Sequence, residues 1–68
     1  KKSPEYIEAV ILEQFNRLSD FGEVSRQELK EAVSVELEVS QRQANRHIKR
    51  MLDQGVFRAE KGQIVGVG

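Results

Sequence analysis

From Pro4 to Leu18, the apolar residues Ile7, Val10, Ile11, Phe15 and Leu18 recur at spacings of three and four, which lays an apolar stripe along one face of a helix. Ser3-Pro4 precedes the stripe. A Ser hydroxyl can cap the first turn, and Pro suits the first helical position because it has no N–H to leave unsatisfied. A first helix is therefore predicted over Pro4 to Leu18. Phe21 and Gly22 break the pattern, and Glu23-Val24 reads as a short extended stretch.

Ser25-Arg26-Gln27-Glu28 has the form of a capping box, so a second helix is predicted to start there. Leu29, Ala32, Val33 and Leu37 would share its buried face, but a continuous helix puts Glu36 in the middle of that face. Val33, Val35, Leu37 and Val39 also alternate like a strand, so the helix is expected to end between Val33 and Leu37. Ser40 is a further N-cap, followed by a stretch free of Gly and Pro that runs to Gly55, the residue favoured just past a helix end. On this third helix Ala44, Ile48, Met51 and Leu52 cluster on one side, Arg42, Arg46, Lys49 and Asp53 lie opposite, and Asn45 and Arg50 flank them. Beyond Gly55, Val56 to Glu60 and Gln63 to Val67 are two β-rich runs around Lys61-Gly62, the pattern of a hairpin. The fold class expected is α+β, mostly α: a three-helix bundle with a C-terminal β-hairpin.

At 68 residues the chain holds one domain, 1–68, with a core too small for an enclosed substrate pocket. It opens at Lys1 and closes on Val65-Gly66-Val67-Gly68, so it is read as a module of a longer protein. There is no cysteine, hence neither a disulfide framework nor a thiolate metal site. No apolar run approaches a membrane span and Lys1 to Pro4 lacks a signal-peptide core, so a soluble, unsecreted protein of the cytoplasm, nucleoid or nucleus is expected. Net charge is zero, but it is unevenly placed. Glu5 to Glu38 carries nine acids and three bases (3 − 9 = −6), whereas Val39 to Gly68 carries six bases and two acids (6 − 2 = +4). The C-terminal half is the side suited to an anionic partner.

The element order, and Ser40 to Phe57 in particular, resembles winged helix-turn-helix domains. Ser40, Ala44, Arg46, Ile48, Met51, Gly55 and Val56 occupy the cap, small apolar, Arg, aliphatic and Gly-aliphatic places of that pattern. The sequence departs from it at Glu38, where the tight turn often has Gly, and this leaves the turn geometry open. A domain ending just after its wing is also similar to the C-terminal module of replication ATPases, the minichromosome maintenance helicases among them. The resemblance implies that Gln41 to Gln54 is a recognition helix lying in the major groove of double-stranded DNA. Arg42, Gln43, Asn45 and Arg46 are then the candidate base readers, since Arg pairs with guanine and Asn or Gln with adenine through two hydrogen bonds each. Lys49 and Arg50 would reach phosphates, and Arg58 and Lys61 in the wing would meet the backbone or minor groove.

A basic helix face is also what an ordinary solvated face looks like, so the charge pattern alone leaves two readings open. One is a DNA-binding module in a replication or transcription protein. The other is a regulatory module whose acidic first two helices dock on a protein partner or on the rest of the same chain. Glu28, Glu31 and Glu36 would repel phosphates if they faced a duplex, and weak binding in isolation is expected on that account. His47 has no second His or Cys beside it and reads as a packed or surface residue, not a metal ligand. Phe15, Phe21 and Phe57 are assigned to the core, while Tyr6 is a weak stacking platform at best. Glu5, Glu8 and Glu13 suit solvation and the helix dipole. Neither a catalytic constellation nor a phosphate-loop glycine spacing is found, and no catalytic residue, cofactor, metal or small-molecule substrate is assigned.

Overall fold

A computed structural model describes residues 3–19 and 21–66. The elements are α1 (Pro4–Leu18), β1 (Glu23–Ser25), α2 (Arg26–Leu37), α3 (Gln41–Asp53), β2 (Phe57–Glu60) and β3 (Gln63–Gly66). The fold is α+β, mostly α, as the periodicity implied. Val67, which the alternation placed in the last strand, lies outside the described residues.

α1 begins as its sequence dictates: the Ser3 hydroxyl accepts from the Tyr6 backbone N–H at 3.1 Å, with Pro4 in the first turn. Its stripe buries Val10, Ile11 and Phe15 and half-buries Ile7 and Leu18. α2 begins differently. Ser25 makes no side-chain cap bond, so the capping box read from Ser25 and Glu28 is not formed. Ser25 is instead paired in β1 opposite Gln63, and the Arg26 N–H, one of the four donors without a partner inside the helix, is donated to the Gly62 carbonyl at 3.1 Å.

The hairpin acquires a third strand. β1 pairs antiparallel with β3, giving the sheet order β1-β3-β2. The β2–β3 turn is Lys61-Gly62, both at positive φ (52° and 78°), the combination that matches a two-residue turn to strand twist. Phe57 and Ile64 point inward to meet the helices. Phe57 stacks on Phe15 of α1 with ring centroids 4.8 Å apart, and Gly66 passes beneath the same Phe15 ring, where an added Cβ would sit 3.4 Å from it.

Phe21 is not in the core, contrary to its sequence assignment. It is 99% exposed, in a turn at φ 55°, while Phe15 and Phe57 form the buried aromatic pair.

α2 runs unbroken to Leu37, at the far limit of the expected range. Its buried residues are Leu29, Val33, Ser34 and Leu37, so the packed face is turned toward Ser34 and Glu36 falls outside it, exposed. Ser34 tolerates burial because its hydroxyl donates to the Glu31 carbonyl at 2.8 Å. The helix closes on Glu38 at φ 57°, ψ 46°, with Glu38 N–H donating to the Val35 carbonyl and Val39 N–H to the Ser34 carbonyl. This is a Schellman closure with Glu in the left-handed position that Gly takes without cost. The tight turn is thus made despite its side chain, against a strain of order 1–2 kcal/mol. Glu38→Gly is expected to raise stability by about 1 kcal/mol, after the larger entropy of the unfolded glycine chain is allowed for. Thermal denaturation reads this as a rise of roughly 4–8 °C in Tm; a fall would mean that the Glu38 side chain contributes more than the turn strain removes.

Candidate nucleic-acid interface

α3 is positioned by a narrow apolar stripe. Ala44, Ile48 and Met51 are at most 2% exposed, with Leu52 half-buried beside them. Ala44 has no side chain beyond Cβ, so α3 can lie close against its neighbours. Both ends are fixed. The Ser40 hydroxyl accepts from the Gln43 N–H at 3.2 Å. At the other end Gly55, at φ 83°, donates to the Leu52 carbonyl while Val56 N–H donates to the Met51 carbonyl, a second Schellman closure. With the stripe inward, the remaining side of the helix must face out. Gln41, Arg42, Gln43, Arg46, Lys49 and Arg50 are all exposed, and His47 is half-buried at the edge of the stripe. The helix ends at Asp53, with Gln54 as its cap.

Asn45 differs from its neighbours. It is half-buried, and its Oδ1 accepts from Arg26 Nε at 3.2 Å. That contact brings α2 into the site, which sequence reading had not done. Arg26, Gln27 and Lys30 of α2 and Gln41, Arg42 and Asn45 of α3 line one open concavity without a carboxylate among them. Gln27 lies at its margin, its side-chain amide donating to Glu31 Oε2 at 2.7 Å. Glu28 is turned away: residues two apart on a helix point about 200° from each other, so Glu28 lies opposite both Arg26 and Lys30. It lines a different concavity with Leu18, Phe21, Glu23, Val24, Ser25 and Gln63. Glu28 is therefore separated by face from Arg26 and Lys30 although it stands between them in sequence, whereas Glu31 borders the concavity through Gln27. The signal was present in the i, i+4 spacing of Arg26 and Lys30 beside Leu29 and Val33.

The two wing residues are placed differently. Arg58, on edge strand β2, is exposed and forms an ion pair with Glu60 at 2.7 Å, so its charge is compensated locally. Lys61 is exposed at the hairpin turn, next to Gly62, whose carbonyl is held by the Arg26 N–H. Arg26 thus joins three parts: its backbone holds the wing turn, its side chain holds α3, and its own helix supplies Lys30 one turn on.

Among the described residues, no group of three or more His, Cys, Asp or Glu side chains is arranged to hold a metal ion, and no helix is long and apolar enough to cross a membrane. No protein-family model, curated protein or solved structure matches the chain.

The two serine caps separate cleanly. Ser40→Ala removes a formed cap bond at the start of α3 and is expected to cost about 1 kcal/mol. Ser25→Ala removes none and should cost less than about 0.5 kcal/mol. Urea denaturation of the two variants measures the difference, and equal losses would contradict the assigned caps.

Proposed function

We propose that this chain is a binding module of the winged helix-turn-helix kind, with no catalytic role, and that it binds double-stranded DNA through α3 and the adjoining part of α2. The observation that carries the reading is the concavity in which Arg26 and Lys30 of α2 meet Arg42 of α3 with no carboxylate in its lining, continuous with the exposed bases Arg46, Lys49 and Arg50 of α3. A duplex presents a dense line of phosphate charge, and lysine or arginine neutralising it releases condensed counterions. In this reading Arg42, Gln43 and Arg46, in the first two turns of α3, take base edges, and Lys49 and Arg50 take phosphates. Lys61 extends the surface toward the wing, and Arg58, exposed and paired with Glu60, can exchange that weak surface ion pair for a phosphate. A setting in a replication or transcription protein, in the cytoplasm, nucleoid or nucleus, accords with this role. Linkage to a larger assembly would supply affinity that one small domain lacks.

One observation favours a second reading, docking on a protein. Phe21 stands 99% exposed beside the concavity lined by Leu18, Val24, Glu23 and Glu28. An exposed aromatic with an acidic border suits a basic, partly apolar partner surface.

Titration of a labelled duplex at two salt concentrations separates the readings. Wild-type protein is expected to bind with Kd of roughly 10⁻⁴ to 10⁻⁶ M and to weaken steeply with salt. Arg46→Ala should weaken binding and relax preference at one position by roughly 1–3 kcal/mol. Lys49→Ala should weaken all sequences alike and lower the salt slope by about one unit. If the wild type shows no salt-dependent binding, the docking reading replaces this one; if both variants fold and bind as the wild type does, α3 is not the contact surface.

A further inference from the structure

Arginine carries only hydrogen-bond donors, so the atom of Asn45 that meets Arg26 Nε must be its oxygen. The contact therefore fixes the Asn45 amide: Oδ1 is engaged toward α2, and the NH2 group is directed away from that bond. Reading adenine with two hydrogen bonds needs the amide oxygen and nitrogen together, one accepting and one donating. With one Oδ1 lone pair taken by Arg26, the orientation of the amide is set by α2 and not by a base edge, while its N–H groups stay free for an acceptor.

The surroundings point the same way. Arg26 Nε is used, leaving the outer guanidinium nitrogens; Lys30 and Arg42 line the same concavity, and no carboxylate does. Among the described residues the ion pair formed is Arg58–Glu60, on the β2 strand, and none of these three cations pairs with a described carboxylate. Arg26, Lys30 and Asn45 are each partly buried, which reduces the solvent screening of their charges and dipoles. A concavity with three cations and an oriented amide N–H, bordered by the amide of Gln41, is complementary to an anion with several acceptor oxygens; the Gln27 amide at its margin is engaged by Glu31.

We infer that the Arg26–Asn45 hydrogen bond makes the junction of α2 and α3 a donor-presenting site for one phosphate group, in which Asn45 donates to a phosphate oxygen and does not read adenine. The inference rests on the nucleic-acid reading for its preferred source, a backbone phosphate of the duplex, but the same chemistry is offered by free phosphate. Asn45 then helps set the register of α3 on the duplex, and base preference is left to Arg42, Gln43 and Arg46. Arg26 has two functions: it holds the Asn45 amide in place and supplies charge of its own.

The test uses two probes on the full chain labelled with ¹⁵N. Inorganic phosphate, and separately a short duplex, are titrated while the Asn45 side-chain amide and Arg26 Nε–H signals are followed. Shifts with the duplex alone assign the site to backbone phosphate. Shifts with inorganic phosphate alone keep the site and overturn the duplex reading. Shifts with neither overturn the site. In parallel, Asn45→Ala is measured on a duplex panel in which each base pair is varied. A loss of about threefold or more, equal across the panel, is the expected result. A loss confined to one A·T position would show that Asn45 reads adenine and would overturn the inference. Arg26→Gln should also weaken every sequence and lower the salt slope by about one unit, with thermal denaturation confirming that it folds. If Arg46→Ala and Lys49→Ala impair duplex binding while Asn45→Ala and Arg26→Gln do not, the duplex reading stands and this inference falls.

Discussion

The constraint on which the rest of the structure depends is the complete burial of a stripe only three residues wide on α3: Ala44, Ile48 and Met51. A domain of this size has one small core, and that core is closed by contributions from every element: Ile11 from α1, Val24 from β1, Leu29, Val33 and Leu37 from α2, and Phe57 and Ile64 from the sheet. Because α3 gives so few side chains to it, nearly all of its polar length remains at the surface. The charge there is not incidental to packing. Burying the stripe compels Arg42, Arg46 and Lys49 to face outward, and the tight closure after Met51 and Leu52 stops the helix before the wing begins.

Arg26 turns this packing into a site. It stands where β1 gives way to α2, and the cap its sequence offers is replaced by a bond to the wing turn. The consequence is that the wing, the start of α2 and the second turn of α3 share one residue. The spatial relation between Lys61, Lys30 and Asn45 is set by hydrogen bonds to Arg26 in addition to the core behind them. Helical geometry carries Glu28 to the other side, where it joins Glu23 and Phe21 in a patch of opposite character, and Glu31 at the margin is engaged by the Gln27 amide. The net charge of zero over the chain therefore conceals two faces of opposite sign.

Much of the fold was legible because its signals are local. Ser3-Pro4, Ser40 and Gly55 mark helix ends by mechanisms acting within one turn, and the structure uses each of them. What was not legible required a partner distant in sequence. Ser25 and Glu28 form a correct local cap signature, yet pairing of Ser25 with Gln63 across the sheet supersedes it. Phe21 is apolar enough to suit a core, but it falls in the turn between α1 and β1 and stands exposed, while Phe15 and Phe57 are the buried aromatics. Glu38 left the α2–α3 turn open because the left-handed position is imposed there by the two helices it joins, against the preference of the residue itself. For the site, α3 could be read from its periodicity, whereas Arg26 and Lys30 belonged to a segment dominated by acids. Their i, i+4 spacing separates them from Glu28 on a helix, but that they meet Asn45 and Arg42 is a tertiary fact that no local signal carries.

The central claim is that the α2–α3 face, and not the Phe21 face, meets the partner. Backbone amide shift mapping on the ¹⁵N-labelled chain during titration with a short duplex addresses this directly, since one spectrum reports both faces at once. The expected result is that the largest changes fall on Arg26 to Lys30, on Gln41 to Arg50 and at Lys61, and fade as salt is raised. Changes concentrated at Leu18, Phe21, Val24 and Glu28, with α3 unmoved, would contradict it.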